Sequence, residues 1–219
     1  MSIKDLLPKD CLSAIDVNWW REKREDIKRR FRENIGIPPF ARNTRSIETI
    51  DSVENKWYTR SKLCYLVGDC EEIRAYLFVP ADTTDRMPAI LALHQMNHLF
   101  GKDEAAGLRG YPDYAYGEEL ARRGYVVLVP DYLTMGERIF PGKENFDSLP
   151  FYEKYPDWSM VGKDIEDSMS AIDVLLTFDF VDPARIGAVG HSHGGSNTIF
   201  ILAMDDRVAA GVSNCGMSV

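Results

Sequence analysis

The sequence of 219 residues lacks the features that mark a secreted or membrane-spanning chain. Its four cysteines are scattered without a CxxC pair, which favours reduced thiols in a reducing compartment. They are Cys11, Cys64, Cys70 and Cys215. The N-terminus has no apolar run long enough for a signal peptide, and no stretch approaches the ~20 apolar residues that span a bilayer. These absences predict a cytoplasmic protein with no membrane partner.

Positive charge is also scarce, because 26 lysines and arginines stand against 34 aspartates and glutamates and the formal net charge is -8. An acidic chain is a poor ligand for nucleic acid or anionic lipid. The basic segment from Trp19 to Asn34 is typical of a solvated helix with ion pairs along its surface. No cluster of histidine, aspartate and glutamate has the spacing of a metal site, so we expect no metal and no cofactor.

The first 50 residues differ from the rest and predict an N-terminal helical extension (1–50) packed on a larger domain (51–219). A helix is predicted from Asp16 to Asn34, and the prolines of IGIPPF (35–40) end it because proline cannot continue a helix. Its apolar residues share one face at helical spacing. That predicted inward face consists of Trp20, Ile27 and Phe31.

From Lys56 the pattern changes to strands and then to an alternation of strands and helices. An antiparallel hairpin rich in aromatic and branched residues is predicted first, over Lys56–Val67 and Glu72–Pro80. The further predicted strands are Pro88–His94, Tyr125–Asp131, Ala184–Gly190 and Arg207–Gly216, and the predicted helices are Tyr111–Gly124, Asp157–Phe178 and Gly194–Asp205. Apolar strands alternating with helices predict an α/β fold, with a mixed, mostly parallel sheet covered on both faces.

The motif from Gly190 to Gly194, GHSHG, fits G-x-S-x-G between a predicted strand and a predicted helix. Glycines on both sides let the chain pass through the strained turn that such a serine needs. The hydroxyl would then lie at a helix start, where the dipole and free N–H groups favour negative charge. The alternative is an idle serine in a glycine-rich turn, but the strand–turn–helix context favours Ser192 as a nucleophile.

A nucleophilic serine that attacks a carbonyl needs hydrogen-bond donors for the oxyanion. One expected donor is the backbone N–H of His193, the residue after the serine. The second is expected from the loop His94–Gly107, since ligand loops follow the carboxyl ends of strands in open α/β sheets. By position we favour the N–H of Met96, with Gln95 as the alternative. His94 itself is expected to be a structural imidazole that braces this loop.

Four stretches carry a family resemblance, and they read LALHQMN, GKDEAAG, ELARRGYVVLVPDYLTMGER and DPARIGAVGHSHGG. In this order and at about this spacing they resemble the α/β-hydrolase superfamily, in its dienelactone-hydrolase-like and acetyl-xylan-esterase-like branch of carboxylic ester hydrolases. The resemblance covers roughly residues 56–215. It implies a small-molecule ester substrate cleaved through an acyl-enzyme at Ser192, with the N–H groups of Met96 and His193 as the oxyanion hole.

The same resemblance implies a supporting role for Asp131, which matches a position that braces loops near the site in relatives. Glu137 and Arg138 lie in the same loop and are expected to be structural. The segment from Tyr132 to Trp158 is expected to take part in substrate selection. Its aromatic-rich part, IFPGKENFDSLPFYEKYPDW (139–158), is expected to form either a lid or pocket wall, or a packed loop.

The sequence departs from the superfamily after the serine. There the nucleophile is followed by an acidic residue and then by a histidine, whereas here no acidic residue follows Asp206 and no histidine follows His193. The triad acid and histidine are therefore expected to be absent from these 219 residues. Four histidines remain as substitute bases, and none is favoured. They are His94, His98, His191 and His193.

Three explanations of this departure stay open. The favoured one is that the chain is the N-terminal part of a longer hydrolase whose C-terminal segment completes the sheet. In the second, another chain of an oligomer supplies the missing strands and histidine. In the third, the protein is a catalytically inactive α/β-hydrolase-like fragment or binding module. A serine peptidase, which uses the same turn on the same fold, is the remaining alternative activity.

Overall fold

The computed structural model describes residues 17–82 and 86–217, and these form one seven-stranded sheet with helices on both faces. In chain order the strands are β1 (Arg45–Glu54), β2 (Tyr58–Val67), β3 (Glu71–Pro80), β4 (Met87–Leu93), β5 (Val126–Pro130), β6 (Val181–His191) and β7 (Val208–Asn214). Across the sheet they lie in the order β1-β2-β3-β5-β4-β6-β7. β1, β2, β3 and β5 pair antiparallel, and β5, β4, β6 and β7 pair parallel. The mixed α/β sheet predicted from the sequence is confirmed.

Six α-helices lie in the described part of the chain. They are α1 (Val17–Ile35), α2 (Lys102–Ala105), α3 (Tyr116–Arg122), α4 (Leu149–Lys154), α5 (Met160–Leu175) and α6 (His193–Met204). α3 is shorter than predicted, because a separate 3-10 turn occupies Pro112–Tyr114. α5 begins after Ser159, whose hydroxyl accepts a hydrogen bond from the Gly162 N–H at 3.0 Å. This is the usual way in which a serine satisfies a free N–H at a helix start.

The apolar core lies in two layers, one on each face of the sheet. Alternate residues of β5 enter opposite layers, since successive side chains of a strand point to opposite faces. Val126 and Leu128 join the larger layer with residues of α5 and α6. Val127 and Val129 join the smaller layer, which α2 and α3 cover. β5 is buried along its whole length, as its continuous apolar run predicts.

A third apolar cluster is formed by the segment from Tyr132 to Trp158. Its buried members are Leu133, Phe151 and Trp158, with the partly buried Phe40, Phe140, Tyr155 and Met160 packed against them. The structure thus shows a packed segment, which also forms one wall of a cavity beside Asp69, Cys70 and Glu71.

The prediction for the inward face of α1 was wrong in two of its three residues. Trp20 and Ile27 are 51% and 49% exposed, and only Phe31 packs inward, with its ring 5.2 Å from that of Phe200. The buried edge is rotated toward Lys28, which is 6% exposed. The reason is electrostatic, because the Lys28 ammonium lies 3.2 Å from the Asp206 carboxylate beyond α6 and buries its apolar stem to reach it.

β1 was not predicted, and it crosses the expected domain boundary at residue 50. Residues from Arg45 onward pair with β2 and so belong to the main sheet. The division into 1–50 and 51–219 stays a prediction. Within the described residues, Cys64, Cys70 and Cys215 are free thiols, and Cys11 lies outside those residues.

A buried ion network ties the antiparallel part of the sheet to α5. The carboxylate of Glu71, in β3, binds both the Arg138 guanidinium and the Lys163 ammonium, the latter at 2.7 Å. Arg138 also donates to Asp167 of α5 at 2.8 Å. Burial alone would raise the pKa of Glu71, but the two cations outweigh it and hold the pKa at about 2.

We therefore predict an acid-dependent contribution of Glu71 to stability. An unfolded glutamate takes up a proton near its ordinary pKa of 4.5, whereas the folded one does so only near 2, so its contribution is present above pH 5 and is lost toward pH 2. The shift corresponds to about 3 kcal/mol. In urea unfolding from pH 7 to pH 2, Glu71→Gln should be less stable at pH 7 and lose this part of the pH dependence.

Glu72→Gln is the matched control, because the neighbouring carboxylate is 61% exposed and pairs only loosely with Arg74, at 3.6 Å. It should keep the wild-type pH dependence. A pH dependence of Glu71→Gln that equals the wild type would contradict the assignment.

Candidate active site

Ser192 lies in the turn between β6 and α6, with its backbone in a disfavoured conformation. Its φ is 52° and its ψ is -113°, a region that residues other than glycine rarely adopt. The Ser192 N–H donates to the Asn214 carbonyl of β7 at 2.8 Å, which anchors the turn to the sheet. The residue is exposed, and its hydroxyl makes no capping bond to its own helix. The turn therefore presents the Ser192 hydroxyl to the solvent side of the sheet.

The glycines around Ser192 are required by the close approach of three backbone segments. A Cβ on Gly190 would collide with the backbone of Gly194, and a Cβ on Gly194 would collide with the carbonyl of Leu93 at the end of β4. β6, α6 and β4 thus meet at this turn without room for a side chain. The sequence motif predicts this feature directly, since its glycines stand at these positions.

The N-terminus of α6 supplies free donors beside the serine. Its first intrahelical bond runs from the Ser196 N–H to the Ser192 carbonyl at 2.9 Å. The preceding N–H groups, starting with that of His193, have no acceptor within the helix, and the helix dipole adds partial positive charge there. The His193 N–H is thus available to a negatively charged oxygen near the Ser192 hydroxyl.

A cleft of about 420 Å³ opens at Ser192. Its walls come from the loop after β4, from the aromatic turn at Tyr111 and Tyr114, and from the residues at the serine turn. The lining residues are Gln95, Met96, Asn97, His98, Leu99, Phe100, Glu104, Tyr111, Tyr114, His191 and Ser192. The structure thereby brings Met96 and Ser192 to one cleft, whereas no residue of the packed segment from Tyr132 to Trp158 lines it.

His94 is fully buried behind this cleft and braces the loop. Its Nδ1 lies 2.7 Å from the Gln95 carbonyl, and its Nε2 lies 3.3 Å from the Tyr132 backbone N–H. One ring nitrogen therefore donates and the other accepts, which requires the neutral imidazole. Burial lowers the pKa of His94, and the nearby Asp131 carboxylate opposes that shift without reversing it.

The imidazole of His193 is turned away from the serine, toward α5. Its Nε2 donates to the Asp164 carboxylate at 3.0 Å, and its ring lies edge-on to Tyr132. Burial raises the pKa of Asp164, and the hydrogen bond from His193 opposes this rise. The side chain of His193 therefore holds the turn against α5.

The two remaining histidines are held by aromatic rings. His191 stacks on Tyr114 with ring centroids 5.0 Å apart, and His98 lies edge-on to Phe146 at 4.6 Å. In residues 17–82 and 86–217, none of the four histidines makes a hydrogen bond to the Ser192 hydroxyl. The described residues therefore bring a serine and candidate oxyanion donors together without a histidine positioned as the base.

Asp131 anchors the loops behind the cleft. It accepts from the Lys102 N–H at 2.8 Å, from the Lys102 ammonium at 2.6 Å and from the Glu137 N–H at 3.1 Å. Glu137 binds the same ammonium; burial would raise its pKa, but Lys102 and Lys62 lower it to about 2. Asp131 therefore braces the loops, as expected. Glu137 and Arg138 make structural contacts, as expected.

Sequence reasoning missed the buried partners of this site. Lys102 is 1% exposed, Asp164 is 5% exposed and Asn197 is 2% exposed, although their residue types predict surface positions. The available signal was the placement of Asp164 and Asn197 at helical positions between apolar residues, but their partners lie far away in sequence. No group of three or more His, Cys, Asp or Glu side chains within the described ranges could hold a metal ion.

The mixed sheet, the serine turn after β6 and the cleft beside it are features of the α/β-hydrolase fold, so the fold predicted from the sequence is confirmed. Residues 117–219 match the prolyl oligopeptidase family. In addition, the chain is 28% identical to YtaP of Bacillus subtilis (strain 168), a protein assigned as a hydrolase, over 78% of this chain and 57% of that protein.

Solved structures share the fold. A Bacteroides fragilis NCTC 9343 protein assigned as an acetyl xylan esterase has a TM-score of 0.75 at 18% identity, over 90% of this chain and 54% of that one. A glucuronoyl esterase from Solibacter usitatus has a TM-score of 0.63 at 21% identity, over 91% and 59%. Proteins assigned as esterases are thus among those that share this fold. The chain spans little more than half the length of these three relatives.

The close approach at the serine turn gives a prediction for Gly194→Ala. The added Cβ has to displace the backbone at Leu93, so we expect a loss of about 2–3 kcal/mol in the free energy of unfolding, measured with urea. Gly142→Ala is the control. Its Cβ meets no atom within 4 Å, and its φ of 73° should cost only about 1 kcal/mol. Equal losses in the two variants would show that the approach is less tight than described.

Proposed function

We propose that this chain carries the nucleophile and the oxyanion donors of a serine hydrolase that cleaves carboxylic esters through an acyl-enzyme. The observation that carries the proposal is Ser192 itself. It is an exposed serine at φ 52°, on a strand–turn–helix, facing the cleft that also holds Met96. The esterase relatives of the same fold favour a small-molecule ester as the substrate.

In the proposed reaction the Ser192 Oγ attacks the ester carbonyl, and a base takes its proton. The carbonyl oxygen becomes an oxyanion that accepts from the N–H groups of His193 and Met96. The tetrahedral intermediate then breaks its bond to the alcohol oxygen, which receives the proton from the base. Water then attacks the carbonyl of the acyl-enzyme while the base takes its proton. The bond from the carbonyl carbon to Ser192 Oγ breaks, Oγ takes the proton back from the base, and the acid leaves.

We propose that the base comes from outside the described residues, since their four histidines are engaged elsewhere. β7 marks where such a segment can pack, because all of it except Val208 is exposed and Val212 is 62% exposed. An apolar strand with an uncovered surface favours pairing with further structure. We favour a C-terminal segment of a longer chain as this partner, with a second copy in an oligomer as the alternative.

A peptidase is the second candidate function, and the match of residues 117–219 to the prolyl oligopeptidase family favours it. The two activities are separated by comparing kcat/KM for p-nitrophenyl acetate with that for peptide p-nitroanilides. We expect the ester to be cleaved at least about 100-fold more efficiently, which is a difference of about 2.7 kcal/mol in transition-state stabilisation. A peptide anilide cleaved as well as the ester would favour the peptidase.

The remaining expectations stay predictions. Among the described residues no helix has the length and apolar character needed to cross a bilayer. A cytoplasmic location, and the absence of nucleic-acid partners and cofactors, rest on composition and on the cysteine pattern alone.

Substitution of the nucleophile tests the proposal. In the full-length protein, Ser192→Ala should lower p-nitrophenyl acetate hydrolysis by at least about 1000-fold, because no other group can form the acyl-enzyme. Ser196→Ala is the control, since its hydroxyl, one helical turn on, donates to the Gly216 carbonyl at 2.7 Å. It should keep kcat within about twofold. Hydrolysis retained in Ser192→Ala would exclude the proposed nucleophile, and no hydrolysis in the wild type would favour the inactive binding module.

A further inference from the structure

The ring of Tyr132 lies between the two parts of the chain that carry the candidate oxyanion donors. It contacts His94 edge-on at 4.9 Å and His193 edge-on at 4.7 Å, measured between ring centroids. His94 opens the loop that carries Met96, and His193 follows the nucleophile. Tyr132 is 3% exposed, so these contacts are sealed from water. One buried ring therefore contacts a side chain from each segment, beside the place where the Gly194 backbone packs directly on the end of β4.

Both ends of Tyr132 are also tied by hydrogen bonds. Its backbone N–H donates to His94 Nε2 at 3.3 Å, which joins it to the β4 side. Its hydroxyl accepts from Asn197 Nδ2 at 3.1 Å, which joins it to α6. Asn197 is held in turn by a 2.7 Å bond to the Ser168 hydroxyl of α5. Tyr132 thus links the two parts, through its backbone N–H on one side and its hydroxyl on the other, and its ring cannot rotate without breaking the bond to Asn197.

The two imidazoles that Tyr132 contacts are held from their far sides. His94 donates to the Gln95 carbonyl at 2.7 Å, and His193 donates to the Asp164 carboxylate at 3.0 Å. The three rings therefore form a cluster of edge-on contacts that runs from the loop after β4 to α6. We call it the His94–Tyr132–His193 cluster. It lies behind the cleft, and none of its members other than His193 has a backbone group proposed to touch substrate.

We propose that Tyr132 is a positioning residue, which holds the segments that carry the N–H groups of Met96 and His193 in their places at the oxyanion hole. The inference rests on the proposed function. Donors stabilise an oxyanion only when they lie 2.7–3.1 Å from the position it will occupy, and a displacement of about 1 Å can cost about 100-fold in rate. Backbone donors cannot adjust by rotamer changes, so their positions depend on the side chains that hold the segments on which they lie.

Two substitutions at Tyr132 separate the ring from the hydroxyl. Tyr132→Leu removes both ring contacts, and we expect kcat for p-nitrophenyl acetate to fall about 10- to 100-fold with KM within about twofold. Tyr132→Phe keeps the ring and removes only the link to Asn197, and we expect kcat to fall about two- to fivefold. The loss should appear in kcat because oxyanion donors act in the transition state and not in ground-state binding.

Tyr58→Leu is the matched control for loss of a buried tyrosine. Tyr58 is 5% exposed, lies edge-on to Phe78 at 5.0 Å and donates from its hydroxyl to Glu118 at 2.7 Å, all far from Ser192 in the fold. Its substitution should lower the thermal midpoint and leave kcat within about twofold of the wild type. A purely structural role of Tyr132 would give the same result as Tyr58.

The outcomes separate the two proposals. If the wild type and Tyr58→Leu hydrolyse the ester and a folded Tyr132→Leu keeps the wild-type kcat, or changes only KM, the positioning role is overturned while the proposed function stands. If Tyr132→Leu does not fold, Tyr132→Phe decides, and a kcat equal to the wild type overturns the role. If wild type and Ser192→Ala are equally inactive, the proposed function fails and the positioning role fails with it.

Discussion

The backbone of Gly194 packs against the end of β4 with no room for a side chain, and the rest of the site depends on this approach. It brings the start of α6 next to the loop that follows β4, the two segments that carry the proposed oxyanion donors. Ser192, two residues before Gly194, adopts its positive-φ conformation in the same turn. The strain is carried by the hydrogen bond to Asn214 and by the sheet on both sides.

Buried charge and aromatic rings hold the segments behind the cleft in place. Asp131 and Lys102 fix the loop after β4, and the network of Glu71, Arg138 and Lys163 fixes the next loop to the sheet and to α5. Such groups are stable in the interior only when each charge is paired and hydrogen-bonded. These contacts hold the surroundings of the cleft in place, as the proposed backbone oxyanion donors would require.

Strands and turns that have a local sequence pattern could be predicted from the sequence. β4, β5 and β6 follow from their apolar runs, and the turn at Ser192 follows from glycines at fixed positions. β1 could not be predicted, because RSIETIDSVE is polar and exposed and is held mainly by backbone pairing with β2. Its formation depends on a partner strand and not on its own composition.

The misplaced face of α1 and the missed members of the site have one physical reason. Lys28 and Lys102 are buried because carboxylates distant in sequence, Asp206 and Asp131, neutralise them. Likewise the His94–Tyr132–His193 cluster of edge-on rings joins residues from three separate segments. Sequence periodicity predicts lysine at the surface and aromatic residues in the core, without naming their partners. The buried ion pairs and the ring contacts could therefore be found only from the structure.

The central claim is that Ser192 is an activated nucleophile, and covalent trapping tests it most directly. The full-length protein would be treated with a fluorophosphonate, digested and searched by tandem mass spectrometry for the modified residue. The account predicts one adduct, on Ser192, that is absent from Ser192→Ala and present in Ser196→Ala. An unmodified Ser192, or an adduct on another serine at equal yield, would contradict it.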